Sequence, residues 1–485
     1  MRAFSFLAAG LLATAVPSAW AQAPKTSQAP RNIAAKVEAY MKAAVGHEQF
    51  SGNILIARDG VPIVTRSYGM ADYERHVPNT AKTVYRIASL TKAFTSVAIM
   101  QLQERGKLKV TDTICDYLAK CPAAWAPITI HQLLTHTSGI PNFSSQPEWD
   151  EKQEYQDYRP GEIVQLFRNL PLQFAPGSKF KYSNSGYYLL GQIIERASRL
   201  TYGDYLQANI FAPLGMKHTT LHDSRALLPN RALGYDSLGT DFINASYQSA
   251  TTAFANGGLY STVGDLLLWD RALYTGKLVS KASLDAIFTV DKGGYAYGWQ
   301  VGERFGRKRA DHSGAFKGYS TYLVRFPDQR VTVIVLSNSD RAQAAKVGVA
   351  LSAIAFGEKY TDPKPQLQSI LWNLIVQQGV EPAIGRYHEL KRTQPDAFDF
   401  GDDTLVDLGY DLFNARKLDA AKAMFQLNLQ GYPESAGSQD GLGDIADARG
   451  DTAAAILHFE TSLRFDKDNR YATEGLARVK RQAAD

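Results

Sequence analysis

The stretch Tyr85-Arg86-Ile87-Ala88-Ser89-Leu90-Thr91-Lys92-Ala93-Phe94-Thr95-Ser96 decides how this chain is read. It holds Ser89 and Lys92 in an S-x-x-K arrangement, followed by Phe94, Val97, Ala98 and Leu102 at helical spacing. Serine is a favoured cap, so Ser89 is expected to open a helix that ends near Gly106. Residues three apart share a helix face, which brings the Lys92 amine within reach of the Ser89 hydroxyl. A serine hydroxyl becomes a competent nucleophile only when a neighbouring base takes its proton. A helix N-terminus also favours negative charge developing on that oxygen. Alone, the pair is more often a capping serine beside a solvated lysine, so its partners carry the reading.

Before it, two apolar runs at 53–57 and 63–68 meet across Asp59-Gly60, a strong hairpin signal. Ahead of them Ile33, Val37, Tyr40, Met41 and Ala44 mark an amphipathic helix. After it, Thr129 caps a short helix through Leu134, which runs into the loop 135–139. His136 in that loop is read as fixing it by hydrogen bonding, because Lys92 already supplies a base. The second chemical element is Tyr182-Ser183-Asn184 at a helix start, after the turn Pro176-Gly177. The glycine-rich stretch 255–262 lacks phosphate-binding spacing and reads as close packing. The third element, His312-Ser313-Gly314, lies among strand-like runs at 295–301, 308–312, 320–326 and 331–336. One antiparallel sheet assembled from both ends of a domain, with the intervening helices packed on it, gives an α+β class.

The termini differ from this middle. Arg2, an apolar run over 3–16, Pro17 and Ala19-Trp20-Ala21 read as a secretory signal cleaved after Ala21. Residues 22–31 are Pro-, Ser- and Gln-rich and read as a linker. No later run is long enough to span a membrane. Cys115 and Cys121 either pair or remain two buried thiols, and no metal-ligand spacing accompanies them. No cofactor, metal or nucleic-acid motif is expected. Net charge is +5, yet residues 361–485 carry 14 Lys and Arg against 20 Asp and Glu. Residues 22–360 are correspondingly basic, for which solvated surface charge is sufficient explanation.

From residue 363 the composition turns helical with a period of 34: Leu408-Gly409 recurs as Leu442-Gly443, and Ala420, Phe425 and Leu429 as Ala454, Phe459 and Leu463. Such a period is the signature of tetratricopeptide helix pairs. The chain thus divides into a signal peptide (1–21), a linker (22–31), a catalytic domain (32–357) and a helical-repeat domain (358–485).

Taken in order, Ser89-x-x-Lys92, Tyr182-x-Asn184 and His312-x-Gly314 resemble the serine β-lactamase and penicillin-binding protein superfamily. The class C-like branch is the best match, since it has tyrosine in the second motif. The resemblance covers about residues 35–355, including 133–139, 211–216 and 257–262. It implies the antiparallel sheet flanked by helices of that fold, and acyl transfer through a serine ester. Ser89 would be the nucleophile, Lys92 its base and Tyr182 the proton shuttle, with Lys92 lowering the phenol pKa. Asn184, His312, Ser313 and Gly314 would contact substrate. The backbone N–H groups of Ser89 and Ala315 would form the oxyanion hole. The family's β-lactamases have lysine where this chain has His312; an imidazolium there would recognise a carboxylate only at low pH. Histidine at this place is similar to certain D-alanyl-D-alanine carboxypeptidases and D-amino-acid peptidases. The first reading is therefore a periplasmic or secreted peptidase or amidase on D-amino-acid-containing peptides. The second is a carboxylesterase or weak β-lactamase using the same residues. The third, of another class, is a penicilloyl-type sensor or scaffold whose helical tail binds a protein partner.

Overall fold

The computed structural model describes residues 28–47, 49–146, 149, 152–159, 161–223 and 225–483, so the expected signal peptide lies outside the described residues. The central sheet has six antiparallel strands in the order Gln300–Arg304, Arg307–Phe316, Tyr319–Phe326, Val331–Ser337, Gly52–Arg58 and Val61–Tyr68. Strands from both ends of the domain meet where Gly52–Arg58 pairs with Val331–Ser337, as the sequence led one to expect. The Asp59-Gly60 turn that closes the first hairpin has positive φ at both residues, 52° and 71°. That geometry matches the right-handed twist of the flanking strands, and these two residue types tolerate it.

Side-chain alternation divides the sheet between two cores. Ile54, Ile56, Val324, Val331, Val333 and Val335 face the helices Gln28–Gly46 and Ala344–Phe356. Leu55, Leu323, Ile334 and Leu336 face the other way, into the larger core around the Ser89 region. The first helix begins at Gln28, inside the stretch read as linker; Pro30 falls in its first turn, where a missing N–H costs little. The helix that follows Ser89 runs Thr91–Glu104 and is buried on every side from Thr91 to Leu102. It is a core helix rather than a surface one, so its apolar stripe is wider than the spacing suggested. Cys115 and Cys121 are joined in a disulfide.

Among the described residues the tail has seven helices: Leu367–Gln378, Val380–Thr393, Asp402–Asn414, Leu418–Gly431, Ala436–Ala448, Thr452–Phe465 and Arg470–Gln482. The 34-residue period is a packing rule. A Cβ on Gly409 or Gly441 would lie 2.5 or 2.1 Å from the Phe425 ring; one on Gly443 or Gly475 would lie 2.7 or 2.5 Å from that of Phe459. Each ring therefore fills the space that two glycines leave. The tail docks on the catalytic domain at Gly239, which Trp372 covers and whose N–H donates to Asp411 Oδ2 at 3.3 Å. Among the described residues no helix is long and apolar enough to cross a membrane.

Candidate active site

Ser89 lies in a short 3-10 turn, Ala88–Leu90, just ahead of the core helix, and makes no capping bond. The expectation that it caps the helix is corrected: Leu90 occupies the cap position, which leaves the hydroxyl for other partners. Ala88 holds a φ of +47°, uncommon for a residue with a Cβ. The turn is pressed against the strand Arg307–Phe316, where a Cβ on Gly314 would lie 2.5 Å from the Ile87 carbonyl oxygen. Glycine in the third motif thus lets the strand reach the serine turn.

Lys92 is fully buried. Its Nζ donates to Ser89 Oγ at 3.1 Å, Asn184 Oδ1 at 2.9 Å and the Asn256 carbonyl at 2.6 Å. No carboxylate pairs with it among these contacts, and burial pushes its pKa well below the usual lysine range. The amine is thereby prepared to accept a proton. On the other side of Ser89, the Tyr182 hydroxyl donates to Ser89 Oγ at 3.0 Å. The expectation that Lys92 lowers the phenol pKa is overturned. The lysine nitrogen sits over the ring, 4.8 Å from its centroid, and burial raises the phenol above its ordinary range, with the Ser89 bond a lesser opposing effect. Tyr182 is a neutral phenol.

Asn184 opens the helix Asn184–Ser198 and is gripped at both ends. Its N–H donates to Asn142 Oδ1 and its Nδ2 to Ser144 Oγ, each at 2.9 Å, which turns Oδ1 towards Lys92. His136 behaves as its loop position implied: its Nδ1 accepts from the Ser183 N–H at 3.1 Å and its ring packs on Tyr182. Burial, then the neighbouring Lys92, holds it neutral.

His312 departs from the expected substrate contact. Adjacent residues on a strand point to opposite faces, and here Ser313 and Ala315 are exposed while His312 is 4% exposed. Its Nδ1 lies 2.6 Å from the Ser313 carbonyl and its Nε2 2.9 Å from the Tyr295 hydroxyl. Burial first, and Lys92 second, lower its pKa to about 3. A neutral imidazole with both nitrogens engaged cannot serve as the cationic carboxylate receptor.

A cleft of about 570 Å³ opens over Ser89, lined also by Ser144, Asn184, Asn256, Ala315 and Lys317. At its rim Lys317 pairs with the buried Glu154 at 3.3 Å. Sequence reasoning missed Asn256, Ser144, Glu154 and Tyr295. Only Asn256 carried a signal, in the Gly257-Gly258 pair beside it, where Gly257 lies against the Ala88 backbone and Gly258 against the Ala253 and Phe254 carbonyls.

Residues 33–354 match the family model described as Beta-lactamase. The chain belongs to the beta-lactamase family. It is 32% identical over 345 residues to Penicillin-binding protein 4* of Bacillus subtilis (strain 168), across 65% of this chain and 74% of that protein. Its structure is similar to the octameric penicillin-binding protein homologue from Pyrococcus abyssi, with 28% identity, a TM-score of 0.60, and 70% and 81% of the two chains covered. It is also similar to a D-stereospecific amidohydrolase from Streptomyces sp., with 25% identity, a TM-score of 0.58, and 67% and 98% covered. The family member described here is a serine hydrolase, and its helical tail lies outside the matched residues.

Proposed function

We propose that this chain is a secreted hydrolase of D-amino-acid-containing amides and peptides, working through an ester on Ser89. The observation that carries the reading is the buried Lys92, without a carboxylate partner, bonded to a serine hydroxyl that also meets Tyr182. Neutral Lys92 takes the Ser89 proton as Oγ attacks the substrate carbonyl carbon. The N–H groups of Ser89 and Ala315 receive the oxyanion, an interaction worth about 3–4 kcal/mol per donor in other enzymes. As the C–N bond breaks, Tyr182 passes its proton to the departing nitrogen and is reprotonated from Lys92. Water then attacks the ester, its proton returning through the same groups, and Ser89 leaves.

Three things support the substrate class: the likeness to a D-stereospecific amidohydrolase, the likeness to a penicillin-binding protein, and a neutral third motif. A neutral His312 disfavours carboxylate-bearing β-lactams as preferred substrates and leaves simple esters as the competing class. Ser313, exposed on the strand Arg307–Phe316, is the residue assigned to substrate binding there. Secretion is supported by the signal-like residues 1–21 and by a disulfide, which persists in oxidising compartments. The tail is assigned to the tetratricopeptide type, with a protein partner as its expected ligand. The test is turnover of a D-amino-acid p-nitroanilide, a D-alanyl-D-alanine peptide, a short-chain aryl ester and a chromogenic cephalosporin. The expected order places the D-amino-acid amides first. A cephalosporin hydrolysed faster than either amide would overturn the assignment.

A further inference from the structure

We propose that Arg470, in the helical tail, is a positioning residue for the Ser89–Lys92 pair and acts through Ser144 and Asn184. The proposal rests on the hydrolase reading of that site. Arg470 begins the last helix and is paired with Glu474 one turn on, which orients its guanidinium. From there Nη1 donates to the Ser144 carbonyl at 3.1 Å, across the seam between tail and catalytic domain. Ser144 accepts from Asn184 Nδ2 at 2.9 Å through its hydroxyl, and Asn184 Oδ1 accepts from Lys92 Nζ at 2.9 Å. Ser144 and the neighbouring Asn142 hold Asn184 from two sides, and the Ser144 hydroxyl also donates to Asn142 Oδ1 at 3.3 Å.

The chemistry at each link fixes a direction. An amide whose Nδ2 is anchored must turn its oxygen to the lysine. Unanchored, the same group can rotate and present N–H to an amine that needs an acceptor. The serine hydroxyl is the anchor, and the loop 142–146 that carries it is bonded to the tail at the adjacent carbonyl. Loss of Arg470 frees that loop and lets Asn184 sample the unproductive orientation, so acylation slows while the fold remains.

The test uses the full chain and two probes, p-nitrophenyl butyrate and D-alanyl p-nitroanilide, with the acylation rate read from the pre-steady-state burst. Arg470→Ala is expected to slow acylation about three- to tenfold, the scale of one lost hydrogen bond, with an unchanged melting profile. Arg470→Lys, which keeps a donor, restores part of the rate. In a Ser144→Ala background Arg470→Ala adds nothing further, since the link it acts through is already cut. Wild-type acylation that is indifferent to Arg470→Ala, or single effects that multiply in the double variant, overturn the inference alone. A wild-type chain that acylates with neither probe overturns the hydrolase reading and this inference together.

Discussion

In the tail, Phe459 meets glycines from the helices immediately before and after its own, Gly443 and Gly475. In the catalytic domain, Lys92 meets oxygens from Ser89, Asn184 and Asn256, three segments that the fold gathers from far apart. The tail buries a large ring by local repetition, and Phe425 and Phe459 solve the same packing problem one repeat apart. The catalytic domain buries an amine once, at the cost of desolvating it, and surrounds it with acceptors that leave its charge unneutralised. Repetition supplies packing; the single buried amine, its pKa lowered by burial, is the base of the proposed reaction. The two regions should therefore respond to mutation in opposite currencies, one in folding and the other in rate.

The largest separation is expected at Lys92. Lys92→Ala should keep the melting profile yet slow acylation by on the order of ten-thousand-fold or more, as removal of an activating base does. The pH profile carries the same information. Because burial lowers the Lys92 pKa, kcat/KM should rise with pH as the amine loses its proton, with the same acid limb for amide and ester. Different acid limbs for the two substrates would break the contrast.

Gly314→Val tests whether rate and packing are joined at the serine turn. The added Cβ meets Thr321 Oγ1 at 2.4 Å and the Ile87 carbonyl at 2.5 Å, so strand and turn must part. A displacement of the nucleophile of this kind costs roughly a hundredfold in kcat/KM, measured with the ester. The accompanying loss of stability is about 1–3 kcal/mol by urea unfolding. Phe425→Ala is the converse. It should destabilise the tail by about 3–5 kcal/mol in urea, while ester turnover falls no further than it does in Arg470→Ala. A larger fall would mean that the tail supports the site by more than the Arg470 bond.

The smallest effect on rate is expected at His312. Its imidazole stays neutral across the range from about pH 5 to 8, so His312→Gln should leave both pH–rate profiles unchanged there. Stability is another matter. The folded pKa of about 3 lies below the 6.5 of an unperturbed histidine, so the unfolded chain takes up the proton first. The contribution is complete above pH 6.5 and is lost as pH falls towards 3; His312→Gln should flatten that acid loss in thermal melts.

The same contrast explains what was legible. The tail's repeat gave its packing positions directly, because Gly409, Phe425, Gly443 and Phe459 recur at the spacing that brings them together. In the catalytic domain, Ser89, Lys92, Tyr182 and Asn184 were visible because short motifs at helix starts keep their spacing. Asn256 and Ser144 were not, because they act through a carbonyl and a single hydroxyl that any loop can offer. His312 was read as a substrate contact, but the strand turns it inward with its cross-strand partner Leu323, beside Tyr182, where both ring nitrogens are engaged.

The most direct test of the central claim is rapid-quench mass spectrometry of the full chain with D-alanyl p-nitroanilide, followed by peptide mapping. The expected result is a transient D-alanyl adduct on the peptide containing Ser89, absent from Ser89→Ala and formed far more slowly in Lys92→Ala. An adduct that maps elsewhere, or that persists in Ser89→Ala, would contradict it.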